Sequence, residues 1–175
     1  MIKAFLVSLL IVAASGAPSG VYDFKVPGLD GKTIDLAQFK GKKIMIVNTA
    51  SKCGYTPQYA DLEKLYNEYK DKLVIIGFPA NNFHQQEPGT NAEISEFCTR
   101  NFGVTFPMAE KVDVVGDNIA PIFKYLTDEA HKIGVADPVI GWNFTKFILD
   151  EKGKLIAVIP SKVRPTDEQV TKYLN

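Results

Sequence analysis

Two cysteines, Cys53 and Cys98, are the side chains of this chain with the most direct route to chemistry. Cys53 stands in Thr49-Ala-Ser-Lys-Cys-Gly-Tyr-Thr-Pro57, directly after an apolar run and directly before an amphipathic one. Thiolate is the nucleophilic form of cysteine, and the unpaired N–H groups and partial positive charge of a helix N-terminus favour an anion. Lys52 adds a cation beside it. On Cys53 alone a plainer reading stands equally open, because free cysteine often packs as a small buried hydrophobe. Cys98 sits far away in sequence, and no Cys-x-x-Cys is present, since Gly-Tyr-Thr follows Cys53.

The elements that must position these thiols follow from periodicity. Ile44 to Val47 is a continuous apolar run and predicts a buried central strand. From Tyr59 onward Leu62, Leu65, Tyr66 and Tyr69 share one helix face, with Thr56 as N-cap and Pro57 as first helical residue. Cys53 therefore falls in a strand-to-helix loop. Leu73 to Phe78 predicts a second buried strand ending at Pro79, and strand, helix, strand implies a right-handed parallel crossover. Upstream, Tyr22 to Val26 and Thr33 to Leu36 flank an Asp30-Gly31 turn and predict a small hairpin.

Beyond the second strand, Pro79 to Gly89 is a polar loop at the sheet edge where open α/β folds build sites. Thr90 with Glu93 forms a capping box for a helix running to about Asn101, and Cys98 shares its general face with Ile94 and Phe97. Asn118 caps a helix from Pro121 to Leu126, and Thr127 to Gly141 is a loop. Lys146 to Asp150 and Lys154 to Ile159 form a hairpin joined at Glu151-Lys152-Gly153, and Thr166 with Gln169 caps a final helix ending at Leu174. This order predicts a thioredoxin-like α/β fold, a central mixed β-sheet flanked by helices with an N-terminal β-hairpin.

Composition narrows the function classes. With 46% hydrophobic and 23% charged residues the chain is an ordinary globular one, and one domain is expected. Lys plus Arg and Asp plus Glu both number 20, so no basic field exists to hold nucleic acid. Residues 1–17 read as a signal peptide: Lys3 is the positive region, Ala4 to Ala14 is apolar apart from Ser8, and Ser15-Gly16-Ala17 suits cleavage. The expectation is an exported protein, periplasmic or secreted, with residues 18–175 as its single domain and no stable membrane insertion after cleavage. Export permits disulfides, and from cysteine count alone a permanent Cys53–Cys98 bond is the favoured reading.

Three separated stretches change that balance. Asn48-Thr-Ala-Ser-Lys-Cys-Gly-Tyr-Thr56, Gly77-Phe-Pro-Ala-Asn-Asn-Phe-His-Gln-Gln-Glu-Pro-Gly89 and Trp142-Asn-Phe-Thr-Lys-Phe147 together resemble the glutathione peroxidase family. The resemblance covers essentially all of the chain after the leader. It implies a thioredoxin-like fold and reduction of hydrogen peroxide and organic hydroperoxides, here by a member of the cysteine type. It places Cys53 at the peroxidatic position and Trp142 and Asn143 at two supporting positions. Asn82 falls where the family's Phe-Pro-x-x-Gln-Phe motif has glutamine, one methylene shorter in reach. Gln86 matches the second glutamine, in Gln-Glu-Pro, and Gln85 is merely nearby.

Attack of a Cys53 thiolate on peroxide would leave a sulfenic acid, with amide and indole N–H donors meeting the leaving oxygen. Cys98, in Glu96-Phe-Cys-Thr-Arg100, resembles the resolving position of thioredoxin-reduced relatives, and Ala80 stands where relatives often carry cysteine. The resemblance thus implies a transient Cys53–Cys98 disulfide, no bound cofactor, and thioredoxin or glutathione as reducing co-substrate. The moderate loop before Trp142 implies a monomer, because tetrameric relatives carry a longer insertion there. Asn143-Phe-Thr145 also forms a glycosylation sequon, whose glycan would obstruct this site. Competing readings are a secreted binding module with a structural disulfide, a thiol-disulfide oxidoreductase and a peroxide sensor.

Overall fold

The computed structural model describes residues 18–175, and the leader expected over residues 1–17 lies outside the described residues. In chain order the elements are β1 (Lys25–Pro27), β2 (Thr33–Asp35), β3 (Lys43–Thr49), α1 (Gln58–Tyr69), β4 (Leu73–Pro79), α2 (Asn91–Phe102), α3 (Pro121–Lys132), β5 (Lys146–Leu149), β6 (Leu155–Ile159) and α4 (Glu168–Thr171). β1 and β2 form the expected separate antiparallel hairpin. The four longer strands make one mixed sheet in the order β4-β3-β5-β6, with β3 parallel to β4 and antiparallel to β5.

β3 lies at the centre of the sheet because it is apolar on both sides. Its alternation sends Ile44 and Ile46 to one face and Met45 and Val47 to the other. Ile44 and Ile46 pack with Ile76, Phe147 and Leu149 against Phe123 and Leu126 of α3. Met45 and Val47 pack with Ile75 and Ile148 against Tyr59, Leu62 and Leu65 of α1 and Ile94 of α2. Each fully buried Leu or Ile here contributes about 1.5–3 kcal/mol. The sheet is thus a rigid plate between two helical layers, and the loops at the C-terminal ends of β3 and β4 are presented from its edge.

Three local expectations give way to the observed geometry. Thr56 does not cap α1, whose N-cap is Pro57 without a side-chain hydrogen bond; its hydroxyl is used within the Cys53 loop instead. The third helix starts after Ala120, not at Asn118, and runs six residues beyond Leu126. The polar Thr127-Asp128-Glu129 run reads as loop, yet it forms the solvent face of a helix whose buried side carries Ile122, Phe123, Leu126 and Ala130. An ion pair from Lys124 to Asp128 spans one turn of that face. α4 is capped by Asp167, which accepts from Gln169 N–H, one position after the expected Thr166. The Thr90–Glu93 capping box of α2 is present as expected.

The outer edge of β4 is covered by the segment after α2. Gly77 N–H donates to Pro107 O at 3.0 Å, and Ala109 N–H donates to Gly77 O at 2.8 Å. A Cβ at position 77 would collide with Met108 Sδ, so glycine is what lets this segment lie flat on the edge.

Lys146 is fully buried on the α1 side of β5, and its ammonium donates to Val163 O at 2.6 Å. Burial pushes it down to about 7, against a smaller opposing pull from Asp61. Above that value the folded chain has released a proton that the unfolded chain keeps until about pH 10.4. Stability therefore rises with pH across this window. Urea midpoints measured from about pH 7 to 8, where only a minor share of the unfolded thiols has ionised, should increase in the wild type. In Lys146→Met that increment should be absent.

Candidate active site

The Cys53 loop is held by its own hydroxyl and main chain. Cys53 N–H donates to Thr56 Oγ1 at 3.0 Å, and the Thr56 hydroxyl donates to Ala50 O at 2.8 Å. Successive turns, with Thr56 N–H to Cys53 O and Tyr59 N–H to Thr56 O, wind the loop directly into α1. This brings Tyr55 N–H to 3.4 Å from Cys53 Sγ, a donor aimed at the sulfur. Cys53 is only 8% exposed, so a small peroxide reaches the sulfur more easily than a bulky group does.

A second wall comes from the turn before β5. Asn48, fully buried at the end of β3, donates from Nδ2 to Trp142 O at 3.2 Å and accepts at Oδ1 from Thr145 N–H at 3.0 Å. Phe144 N–H closes the junction on Asn48 O. Between those anchors Phe144 adopts φ +66°, a left-handed conformation costly for a bulky residue. Its ring is buried edge-on against Tyr59, 5.5 Å between centroids. Packing of this ring compensates the backbone cost while the preceding Trp142 and Asn143 are turned toward the Cys53 loop. Trp142 joins the same apolar cluster as Cys53 and is flanked by Phe83 and by His84, whose ring meets it edge-on at 5.0 Å.

The polar loop after β4 supplies the third wall. Lys52 N–H donates to Gln86 O at 2.9 Å, and Asn143 Nδ2 donates to Gln86 Oε1 at 3.0 Å. Gln86 therefore links the residue before Cys53 to Asn143. Asn82 does not take this position. Its Nδ2 donates to Asp113 Oδ1 at 2.8 Å, and its Oδ1 accepts from Val114 N–H at 2.9 Å. The expectation of Asn82 in the site is corrected accordingly: its short amide pins the loop to the 113–115 segment. Gln86, marked in the sequence only by the Gln-Glu-Pro match, takes that place instead. Gln85 is exposed.

Asn143 is fully buried, and its Oδ1 has no hydrogen-bond partner among the described residues. Its Nδ2 is engaged by Gln86, so the folded chain presents no acceptor at the Asn143 sequon for a glycan. Cys98 is buried on α2, and both cysteines are free thiols within one apolar cluster. Burial pushes the Cys98 thiol up to about 11, with a partial offset from the Tyr59 hydroxyl and a further push from the charge of Glu87. Among the described residues no group of three or more His, Cys, Asp or Glu side chains is placed to hold a metal ion, and no helix is long and apolar enough to cross a membrane.

This division of labour gives a direct contrast. Gln86→Ala should slow oxidation of Cys53 by hydrogen peroxide roughly 10–100-fold, below the full cost of losing a transition-state donor. Asn82→Ala should leave that rate within about twofold and cost about 1 kcal/mol of stability through the lost Val114 hydrogen bond. Rapid-mixing kinetics of peroxide consumption and urea unfolding separate the two effects.

Comparison with known proteins places the chain in a family. The sequence profile of the family Glutathione peroxidase matches residues 21–127. The chain is 49% identical over 146 residues to the "Glutathione peroxidase homolog BsaA" of Staphylococcus epidermidis, covering 83% of this chain and 91% of that one. It is 46% identical over 158 residues to the "Hydroperoxy fatty acid reductase gpx1" of Synechocystis, covering 86% and 92%. The crystal structure of Trgpx in apo form superposes with a TM-score of 0.68 at 35% identity, covering 89% of this chain and 95% of that one. With Cys53 opposite the Gln86–Asn143 pair and Trp142, and with these relatives spanning the fold, the chain belongs to the glutathione peroxidase family as a thiol peroxidase of the cysteine type.

Proposed function

We propose that this protein is an exported, monomeric peroxidase that works by a two-thiol cycle between Cys53 and Cys98. The observation that carries the reading is the Tyr55 N–H aimed at Cys53 Sγ at 3.4 Å. Cys53 thiolate attacks one oxygen of the hydroperoxide, the O–O bond breaks, and the departing hydroxide or alkoxide takes a proton from solvent as Cys53 becomes a sulfenic acid. The indole N–H of Trp142 and the second N–H of Asn143 Nδ2 are donors for the leaving oxygen, and the unpaired Asn143 Oδ1 accepts from the peroxide O–H.

Cys98 then attacks Cys53 sulfur, forming a disulfide and releasing water. Location of both thiols in one apolar cluster supports this step, and the burial of Cys98 requires α2 to loosen before the sulfurs meet. A dithiol protein of the thioredoxin kind reopens the disulfide, in preference to glutathione. Beside Trp142 and Tyr55, a largely apolar groove of about 600 Å³ runs over Val139, Val158 and Pro160 to Lys162. Its apolar wall and terminal cation suit a hydroperoxide with a hydrocarbon chain and an anionic end, as well as hydrogen peroxide itself.

The test is peroxide consumption by the protein lacking residues 1–17, driven either by thioredoxin with its reductase or by glutathione. Turnover with thioredoxin should be abolished in Cys53→Ser and reduced at least tenfold in Cys98→Ser. Glutathione-driven turnover that persists in Cys98→Ser would instead establish direct reduction of the sulfenic acid. No turnover with either donor would leave the binding-module reading in place.

A further inference from the structure

Cys53 and Thr56 are bonded to each other twice. Thr56 N–H donates to Cys53 O at 3.0 Å, which closes the turn Cys53-Gly54-Tyr55-Thr56, and Cys53 N–H donates back to Thr56 Oγ1 at 3.0 Å. The same hydroxyl then donates its own proton to Ala50 O at 2.8 Å. Thr56 is 7% exposed, so these bonds are shielded from bulk water. One hydroxyl thus grips the main chain on both sides of Ser51-Lys52: at Ala50, the first residue after β3, and at Cys53 itself. A hydroxyl accepts and donates at a single atom, which neither a carboxylate nor an apolar side chain of the same shape can do. The β-branch of threonine restricts χ1 and keeps that oxygen in place.

The strand that anchors this grip also carries the other wall of the site. Asn48 holds Trp142, Phe144 and Thr145, and Ala50, two residues on, holds Thr56. The Cys53 loop and the Trp142–Asn143 turn therefore both take their positions from the same end of β3. Within that frame the Tyr55 N–H, carried between the two doubly bonded residues, stands 3.4 Å from Cys53 Sγ. Release of Cys53 N–H would free the Cys53-Gly54-Tyr55 segment to rotate, and the sulfur and its donor would leave their places together.

We propose that Thr56 is a positioning residue for the peroxide reaction: through Cys53 N–H and Ala50 O its hydroxyl holds the attacking sulfur against the Tyr55 N–H and in register with the Trp142–Asn143 turn. Thr56 acts through the Cys53 main chain and not on the peroxide. The inference rests on Cys53 as the thiol that meets the hydroperoxide. It is independent of Cys98, because oxidation precedes resolution.

Thr56→Val keeps the shape of the side chain and removes both hydroxyl bonds, whereas Thr56→Ser keeps both. Each reduced protein is mixed with one equivalent of hydrogen peroxide and quenched with excess alkylating agent, and mass spectrometry reads the unoxidised Cys53 peptide. Oxidation should be about 10²-fold slower in Thr56→Val, the scale on which an ångström of misplacement acts, and within about threefold of wild type in Thr56→Ser. The pH profile of Cys53 alkylation by iodoacetamide should move to higher pH in Thr56→Val, because the displaced Tyr55 N–H no longer stabilises the thiolate. In Thr56→Ser it should coincide with wild type. Oxidation of Thr56→Val at the wild-type rate, equal slowing in the two variants, or slow oxidation with an unmoved alkylation profile would each overturn the assignment. If Thr56→Val does not fold, the wild type decides: its Cys53 amide proton should exchange far more slowly than in an unfolded chain, and unprotected exchange there would overturn the grip. A wild type whose Cys53 is not oxidised at all would overturn the peroxidatic reading and the positioning role with it, a result distinct from any difference between variants.

Discussion

A single buried amide joins the two halves of the site. Asn48 stands next to last in the central strand, and its side chain and carbonyl together hold Trp142, Phe144 and Thr145, residues almost a hundred positions away. With the β3–β5 ladder and the Gln86 bridge, that junction fixes the Trp142–Asn143 turn beside the Cys53 loop. The amide suits the task because it donates and accepts at once, which a carboxylate or a hydroxyl cannot do in the same geometry. Its full burial makes the arrangement specific, since a displaced turn would leave both of its polar ends unpaired in the core.

The interior near the site holds several buried polar side chains. Lys146, Glu87, Asn48 and Asn143 are all fully buried; main-chain atoms partner Lys146 and Asn48, and the Ser51 and Gln86 side chains partner Glu87 and Asn143. Lys146 ties the segment around Val163 to the sheet, Gln58 ties Ser161 to the start of α1 at 2.7 Å, and Arg164 meets Asp61 through two hydrogen bonds of 2.8 Å. These contacts fix the first turn of α1 from below, and that turn orients the Tyr55 N–H. The polar core is therefore a positioning device first, and its cost in desolvation is offset by the apolar layers on both sides of β3.

The fold was largely legible from periodicity. The double-sided apolar run of β3, the Tyr59–Tyr69 face and the Thr90–Glu93 box each state their element directly. What periodicity missed was α3 beyond Leu126, because a polar solvent face and a loop have the same composition over three residues. Within the site, Cys53 stood out by its type and its place ahead of a helix, whereas Trp142 and Asn143 came from the family resemblance of the Trp142–Phe147 stretch. Asn82 was misplaced because side-chain direction in an irregular loop depends on which backbone groups need partners, here Val114 N–H. The role of Thr56 was invisible because its hydroxyl serves Cys53 N–H and Ala50 O within the loop instead of capping the helix that follows.

The Pro107–Ala109 segment lying along Gly77 has a consequence for assembly. An exposed strand edge is a template for pairing with another chain. Here the Gly77–Pro79 end of β4 is already occupied by the chain's own backbone, and the missing side chain at Gly77 lets that cover sit close. Strand addition, whether in a dimer or in the early steps of aggregation, is thereby blocked at the C-terminal end of the β4 edge, next to the loops that build the site.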